Sequence, residues 1–377
     1  MFIYTELYPL FLSEHGVSVV LIGDASLAMN LGSVAGTIPA ILLMRWPGLK
    51  AATLLGFAGM ASASALRLWY THPWMVYGGA FASGFFLAVL SVGIAVTISR
   101  LTTPGNRALG FSCFFVTTIA SGFFGDVVGG EMPHWVGKSF GVPKYGDQLF
   151  LAVFLACLAI LASIVPAARM RLAEGGHRQS LRIPHSAPTV RLMVAIAAWT
   201  FAIGLFAPFY SVYFSTYLQQ PVNTIGLDLA GGQVIGALFT VFAPMFIAGW
   251  GAVRSVRFMM FAAGTCAFFL SLVMHTVAVG VGYAVYMGYV AMVQTPLNTL
   301  LMNQVREDEQ AGASMVSSLF SFMAVAAGGF VGGRLIDILG YAPMLALSGA
   351  ACMFAAVLFV ILVKKHDEPS ALVPRAG

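Results

Sequence analysis

Long apolar segments recur along the whole chain, and this recurrence limits the folds that it can adopt. Eleven of them reach about 20 residues or more, the length at which an α-helix crosses about 30 Å of bilayer hydrocarbon. Only 9% of the residues are charged, against about 25% in soluble domains. The pattern predicts an all-α, multi-pass membrane protein. The predicted spans lie near residues 17–44, 51–70, 74–99, 108–130, 148–168, 192–217, 222–249, 256–275, 278–303, 311–336 and 343–363.

A shorter apolar segment opens the chain. It runs from Met1 to Leu12 and ends at the polar residues Ser13, Glu14 and His15. Twelve helical residues reach only about 18 Å, so this helix is too short to cross a bilayer by itself. We therefore predict twelve helices, of which the first is truncated at its N-terminal end.

The longest polar interruption follows the sixth predicted helix and divides the chain into two halves. We predict an N-terminal six-helix bundle over residues 1–168, a basic cytoplasmic linker over residues 169–191, and a C-terminal six-helix bundle with a short cytoplasmic tail over residues 192–377. A shift of 203 residues aligns the two halves, which predicts a duplicated fold with a pseudo-twofold axis. The shift places Gly23 on Gly226, Gly48 on Gly251, Gly129-Gly130 on Gly332-Gly333, and Gly137 on Gly340.

The same alignment bears on the short first helix. At a shift of 203, Met1 falls on Gly204, near the middle of the seventh predicted helix. About a dozen residues of the repeat therefore have no counterpart at the front of the chain. Three explanations stay open: a start codon further upstream, a reading frame that was set short, or a protein with a truncated first helix.

The basic residues predict the orientation in the membrane. With residues 169–191 taken as cytoplasmic, fifteen of the nineteen Lys and Arg residues fall on the inner side. Cytoplasmic loops of membrane proteins carry this excess, so we expect both termini in the cytoplasm and the protein in the inner (plasma) membrane of a bacterium. The four outer basic residues are Arg67, Lys138, Lys144 and Arg334.

Motifs of catalytic, metal and cofactor sites are missing from the sequence. It contains no H-E-x-x-H sequence, no nucleophile elbow and no phosphate-binding Gly loop with Lys, and the four Cys residues lie in apolar segments without C-x-x-C spacing. We therefore predict no enzyme activity, no cofactor and no metal. The net charge of +5 is spread over the loops, so we expect no nucleic-acid partner, and we expect a monomer.

Two six-helix halves joined by a basic cytoplasmic loop resemble the major facilitator superfamily of secondary transporters. The sequence RLTTPGNRALG, residues 100–110, is similar to the family's loop with two arginines after helix four. The sequence GGRLIDILGY, residues 332–341, resembles the family's common ending of helix eleven. The resemblance covers essentially the whole chain and implies a cavity between the halves, lined by helices one, four, seven and ten.

Three local sequences depart from the patterns of this family. AILLMRWPGLK, residues 40–50, keeps the Arg, a Gly and the Lys of the signature G-x-x-x-D-R-x-G-R-K but lacks its Asp. GFFGDVVGG, residues 122–130, is similar to the G-P-x-x-G-G motif of proton-driven exporters, with Asp126 where Pro is usual. Helix four has Ala80 at the position where proton-coupled drug exporters carry Arg.

Acidic residues inside predicted spans are candidates for proton coupling, because each costs roughly 2.5 to 3.5 kcal/mol at a helix centre. The candidates are Glu6, Asp126 and Asp24; Asp228 lies near an outer helix end, where we expect it to be solvated. Asp126 shares one helix face with small residues, so it either lines the cavity or pairs with Lys138 or water near the outer surface. Asp24 points away from the polar face of its own helix, and Glu6 lies in helix one, which the resemblance places at the cavity.

Neutral polar residues inside the spans are candidates for contacts to a substrate, because buried amides and phenols need hydrogen-bond partners. Bonding between helices is the alternative for the amides, and anchoring at the membrane interface is the alternative for the tyrosines nearest the outer end. The cavity candidates are Tyr4, Asn30, Tyr210, Tyr213, Gln233, Tyr283, Gln294 and Asn298. Charged residues at the inner helix ends are candidates for a cytoplasmic gate, in which we expect Arg254 and Arg257 to pair with the acids at 307–309. The gate candidates are Arg45, Lys50, Arg100, Arg107, Arg254, Arg257, Glu307, Asp308 and Glu309.

The resemblance implies a secondary transporter that moves a small organic solute by alternating access. We expect proton-coupled export, with protons, the solute and the lipid bilayer as partners. The alternatives are uptake of a sugar or similar neutral nutrient, and a non-transporting membrane sensor of the same fold. No basic residue lies deep in a predicted span, which favours an amphipathic or uncharged solute.

Overall fold

The computed structural model describes residues 1–45, 48–70, 72–101, 107–169, 186–305 and 309–363, and all regular structure within them is helical. Twelve helices follow one another along the chain and match the twelve predicted segments. They are α1 (Phe2–Glu14), α2 (Val19–Arg45), α3 (Leu49–Leu66), α4 (Pro73–Leu101), α5 (Arg107–Phe140), α6 (Tyr145–Ala162, followed by the short helix Ile164–Arg169), α7 (Ala187–Gly204 and its continuation to Tyr217), α8 (Val222–Trp250), α9 (Ala252–Leu270), α10 (Thr276–Gln304), α11 (Gln310–Leu339) and α12 (Tyr341–Leu362).

Ten of these segments are long and apolar enough, within the described residues, to cross a membrane. The other two are α1, with 13 residues, and α5, with 34 residues. The all-α, multi-pass architecture predicted from the apolar segments is therefore confirmed.

The two halves of the chain pack their helices in the same way. In the first half α2 and α3 pack against α4, α3 against α6, and α1 against α5 and α6. The second half repeats each contact six helices later: α8 and α9 pack against α10, α9 against α12, and α7 against α11 and α12. Between the halves, α2 packs against α11 and α5 packs against α8. A shift of six helices relates these two interfaces, because α2 corresponds to α8 and α5 to α11. The arrangement is a pair of six-helix bundles with a pseudo-twofold axis.

The turns before α3 and α9 preserve the repeat at the level of single residues. Gly48 has φ 91° and Gly251 has φ 79°, and the two residues are 203 positions apart. This left-handed region is open to Gly and strained for other residues, which explains why both turns keep it. At the opposite ends of the helices, which the basic residues predict to be the outer ends and which carry that name below, the alignment slips. Gly340 (φ 84°) follows α11, whereas Gly137 lies inside α5 and Gly141 (φ 66°) follows that helix. The predicted linker lies largely outside the described residues, so the domain boundary stays a prediction.

Close approaches of glycines join the bundles. A Cβ atom on Gly226 of α8 would lie 2.5 Å from the carbonyl oxygen of Asp126 and 2.8 Å from the Cα of Gly130, both on α5. A Cβ atom on Gly23 of α2 would lie 2.5 Å from the carbonyl oxygen of Gly329 on α11. The first interface maps onto the second at the shift of 203, so both depend on backbones that touch without an intervening side chain.

Helix α7 is irregular in its outer part. The α-helix ends at Gly204, a 3₁₀ turn covers Ala207–Phe209, and a π-helix covers Tyr213–Tyr217. Pro208 lies in the 3₁₀ turn, where it lacks the N–H that a continuous helix requires. The irregular segment contacts α1 and α2 of the other bundle, and it therefore contributes to the region where the two halves meet.

Candidate functional site

Glu6 lies in the middle of α1 and is buried, with 3% of its surface exposed. Helix α1 packs against α5, α6 and the irregular part of α7. Neither carboxylate oxygen of Glu6 has a hydrogen-bond partner among the described residues. Two glycines make room for the carboxyl group. A Cβ atom on Gly226 would lie 3.1 Å from Oε1, and one on Gly129 would collide with Oε2.

Asp126 approaches the same place from α5. It is 5% exposed, and its Oδ2 atom accepts a long hydrogen bond of 3.5 Å from Nε2 of Gln233 on α8. Its carbonyl oxygen borders Gly226, which also borders Glu6. Glu6, Asp126 and Gln233 thus come from three helices, α1, α5 and α8, and form what we call the carboxyl cluster. No Lys or Arg of the described residues pairs with either acid, including the Lys138 that sequence reasoning offered as an alternative partner of Asp126.

Asp24 lies apart from the carboxyl cluster, at the other interface between the bundles. Its Oδ1 atom is 2.6 Å from Nη1 of Arg334 on α11, and its Oδ2 atom is 3.4 Å from Nη2. The hydroxyl group of Tyr77 on α4 donates a hydrogen bond of 3.5 Å to Oδ2. The guanidinium also lies over the ring of Phe330, 3.5 Å from its centroid. Asp24 and Arg334 therefore form an ion pair that bridges α2 and α11 at their outer ends.

Asp228, which we expect to be solvated, lies in the first part of α8. It is half-buried, and its Oδ2 atom has no hydrogen-bond partner among the described residues. The cause is the packing of α8 against α10, which brings the carboxyl group against Gly280.

Three of the tyrosines that we selected from the sequence lie together in an aromatic cluster between α7 and α10. The ring of Tyr210 is 4.8 Å from that of Tyr283 and 4.9 Å from that of Phe206, while Tyr213 is 5.5 Å from Phe206. All four are buried. Tyr283 also lies against Gly232, the neighbour of Gln233 in the sequence, so the aromatic cluster reaches the carboxyl cluster.

A second group of side chains, which sequence reasoning did not assemble, surrounds Arg67 at the end of α3. Arg67 is only 6% exposed, and its guanidinium lies over the ring of Tyr8, 4.0 Å from the centroid. Tyr4, which was selected, stacks on Tyr8 at 5.2 Å and donates a hydrogen bond of 3.3 Å to the carbonyl oxygen of Ser64. We counted Arg67 among the outer loop cations, although its position inside the predicted span 51–70 was a signal that it could be buried.

The remaining cavity candidates are Asn30 on α2 and two amides of α10. The amide of Asn30 donates a hydrogen bond of 2.9 Å to the carbonyl oxygen of Ser26 in its own helix. Gln294 and Asn298 are exposed, whereas Tyr283, on the same face of α10 in the outer half of the helix, is buried. This face is therefore covered at its outer end and open further inward.

The gate candidates are described only in part. Lys50, Arg254 and Arg257 are exposed, and neither of these arginines forms an ion pair with Glu309, which is half-buried. Both arginines border a groove of about 600 Å³. The other gate candidates lie outside the described residues or side chains; they are Arg45, Arg100, Arg107, Glu307 and Asp308. The predicted pairing with residues 307–309 therefore stays a prediction.

Comparisons with known proteins agree with this architecture. The family model described as "Major Facilitator Superfamily" matches residues 1–329. The chain is 24% identical to the quinolone resistance protein NorA of Staphylococcus aureus (strain MRSA252) over 75% of this chain and 72% of that protein. It is 22% identical to multidrug resistance protein 1 of Bacillus subtilis (strain 168) over 70% of this chain and 67% of that protein. In structure it is similar to a point mutant of the nucleoside transporter NupG, with a TM-score of 0.71, 15% identity, and coverage of 96% of this chain and 98% of that one.

Proposed function

Because the chain belongs to the major facilitator superfamily, and is thus a membrane transporter for small molecules and not an enzyme, we propose that it exports an organic solute in exchange for protons. The two bundles would rock about the interfaces α2–α11 and α5–α8 and open the space between them to each side in turn. The observation that carries this proposal is the pair of buried carboxyl groups, Glu6 and Asp126, where the bundles meet.

The carboxyl cluster couples proton binding to the rocking motion, because the cost of burying a carboxyl group depends on its charge. An ionised carboxylate is costly to hold away from water without a cation or sufficient hydrogen bonds, whereas a protonated one costs far less. Glu6 has neither kind of partner among the described residues. Proton binding therefore stabilises the orientation in which α1, α5 and α8 close around Glu6, and proton release stabilises an orientation that admits water.

The orientation of the described helices supports an opening toward the cytoplasm. The Asp24–Arg334 ion pair and the close glycine contacts hold the outer parts of the bundles together. The exposed amides of Gln294 and Asn298 lie on the inner part of a face that is buried further out. We propose that both termini are cytoplasmic, as the basic residues predict, and that the membrane is the inner membrane of a bacterium.

The choice of export rests on the names of the relatives. They are a quinolone resistance protein and a multidrug resistance protein, at 24% and 22% identity. The likeness to NupG, at 15% identity, supports the fold alone. Export of an organic compound is therefore the better-supported direction. Uptake of a neutral nutrient is the alternative, and the test must distinguish the two.

The proposal is tested with purified full-length chain in proteoliposomes that carry an imposed pH gradient. Three labelled probes are compared: a quinolone, uridine and glucose. We expect accumulation of the quinolone on the acidic side, at a rate that collapses when a protonophore dissipates the gradient. Transport whose rate ignores the gradient would refute proton coupling, and accumulation of uridine or glucose alone would replace export with nutrient transport.

A further inference from the structure

A partly open cavity of about 270 Å³ lies between α1, α2, α3 and the irregular part of α7. Its walls are mostly apolar, and it is close in size to the smallest pockets that hold drug-like molecules, about 300 Å³. We call it the arginine cavity, because Arg67 is the charged residue in its wall. Other residues of its wall are Tyr4, Tyr8, Met29, Met60 and Ser211.

Arg67 carries a buried positive charge that no described carboxylate balances. The residue is 6% exposed, its Nε atom has no hydrogen-bond partner among the described residues, and no acid in those residues forms an ion pair with it. What it does contact is the ring of Tyr8, with Tyr4 further away at 5.7 Å. Cation–π contacts offset only part of the cost of burying a guanidinium. A bound anion would supply the missing charge.

The two tyrosines are fixed in a way that leaves the guanidinium as the principal donor toward the cavity. The hydroxyl group of Tyr4 donates to the carbonyl oxygen of Ser64, and that of Tyr8 donates to the carbonyl oxygen of Arg67 at 3.1 Å. These bonds satisfy carbonyl groups at the C-terminal end of α3, where the helix lacks its own donors. The hydroxyl hydrogens are thus used, and the stacked rings, 5.2 Å apart and inclined by 10°, form an apolar part of the cavity wall.

From this chemistry we infer that the arginine cavity binds a small organic anion, a carboxylate on an aromatic body, with the carboxylate at Arg67 and the body against the tyrosine rings and methionine side chains. Guanidinium groups bind carboxylates through two parallel hydrogen bonds, and aromatic and thioether walls suit a flat apolar body. The inference deepens the proposed function, on which it rests, because it names a class of solute. It narrows the expectation of an amphipathic or uncharged solute to an amphipathic anion, because Arg67 is buried.

The arginine cavity is distinct from the carboxyl cluster. Glu6 lies two residues from both Tyr4 and Tyr8, and two residues turn a helix by about 200°. Glu6 therefore faces α5 and α8 from one side of α1, while the tyrosines face α3 from the other. A test can address the anion site without changing the groups that are proposed to carry protons.

The test measures equilibrium binding of labelled 2-naphthoate to the full-length chain in lipid nanodiscs. Unlabelled 2-naphthoate, 2-naphthamide and 2-naphthylmethanol compete for the site; they share a body and differ in charge. We expect naphthoate to bind about tenfold or more tightly than either neutral compound, as a charged hydrogen-bonded pair warrants. Arg67→Met should remove that preference, with a smaller loss of affinity for naphthamide than for naphthoate. Lys144→Met, the matched control, deletes an exposed outer charge and should leave all three affinities unaltered.

A second variant keeps the test decisive if Arg67→Met does not fold. Thr5 has an exposed side chain at the edge of the cavity, so Thr5→Trp should block naphthoate binding without disturbing the core. Equal affinities of the unmodified chain for naphthoate and naphthamide would overturn the inference, as would an Arg67→Met variant that loses both compounds alike. Quinolone export without naphthoate binding would overturn this inference alone. Naphthoate binding without any proton-driven transport would instead overturn the proposed function.

Discussion

The contact of Gly226 with α5 offers a direct test of how the bundles meet. A methyl group at this position would lie 2.5 Å from the carbonyl oxygen of Asp126, whereas ordinary contact begins at 3.4 Å. The Cα atom of Gly130 would lie 2.8 Å away. Both atoms belong to the backbone of α5, so Gly226→Ala must separate the helices by about 1 Å. Overpacking of this kind costs about 1 to 3 kcal/mol, which corresponds to about a 5- to 150-fold shift between two orientations of the bundles. The orientation with separated outer ends should gain that population.

Double electron–electron resonance measures this shift. Spin labels at Lys138 and Gln219, both exposed on the outer side, report the distance between the two bundles after the native cysteines are replaced. Gly226→Ala should add a longer distance, and Gly23→Ala should do the same, since its methyl group would meet the carbonyl oxygen of Gly329 at 2.5 Å. Gly231→Ala is the matched control, because nothing lies within 4 Å of its Cβ position. Equal distance distributions for Gly226→Ala and Gly231→Ala would refute the reasoning.

Further predictions concern the acids. Glu6→Gln should uncouple transport from the pH gradient while substrate binding persists, because an amide stays neutral at every pH. Flux into proteoliposomes measures this effect, and Glu14→Gln, which changes an exposed acid on the same helix, is the control. Asp126→Asn should weaken coupling in the same assay, and full gradient dependence in both variants would exclude the carboxyl cluster as the proton site. Asp24→Asn should loosen the outer ends by about 1 kcal/mol or less, since the Asp24–Arg334 pair is partly exposed. Exchanging the two charges, Asp24→Arg with Arg334→Asp, should restore the distance distribution that either reversal alone disturbs.

The helices and their duplication could be predicted because lipid imposes a simple requirement on composition and length. A shift of 203 residues paired Gly48 with Gly251, and the structure shows a left-handed turn at both. It failed at Gly137 because α5 continues for one further turn to Phe140 before the chain reverses at Gly141. A slip of four residues is close to one helical turn, so the same face still meets the other bundle.

The candidate site was only partly predictable, because the sequence of one helix does not show which helix of the other bundle it contacts. Glu6, Asp126 and Gln233 could each be selected as polar residues in lipid, but their proximity depends on α5 packing against α8. Asp24 points away from the polar face of its own helix because it pairs with the guanidinium of Arg334 on α11. Arg67 was assigned to the outer side from the alternation of the helices across the membrane, which does not show whether its side chain reaches water or turns inward.

The two glycine contacts that join the bundles have unlike neighbours. Beside Gly23 the nearby side chain is the ring of Phe209, and beside Gly226 it is the carboxyl group of Glu6, whose position in the repeat corresponds to that ring. At its glycine contact one copy of the duplicated seam is thus lined by hydrocarbon, although the same interface also carries the Asp24–Arg334 ion pair. The other copy can gain or lose a proton. We therefore expect the proposed proton exchange at Glu6 to act on the α5–α8 seam, at a position where the α2–α11 seam carries a phenyl ring instead.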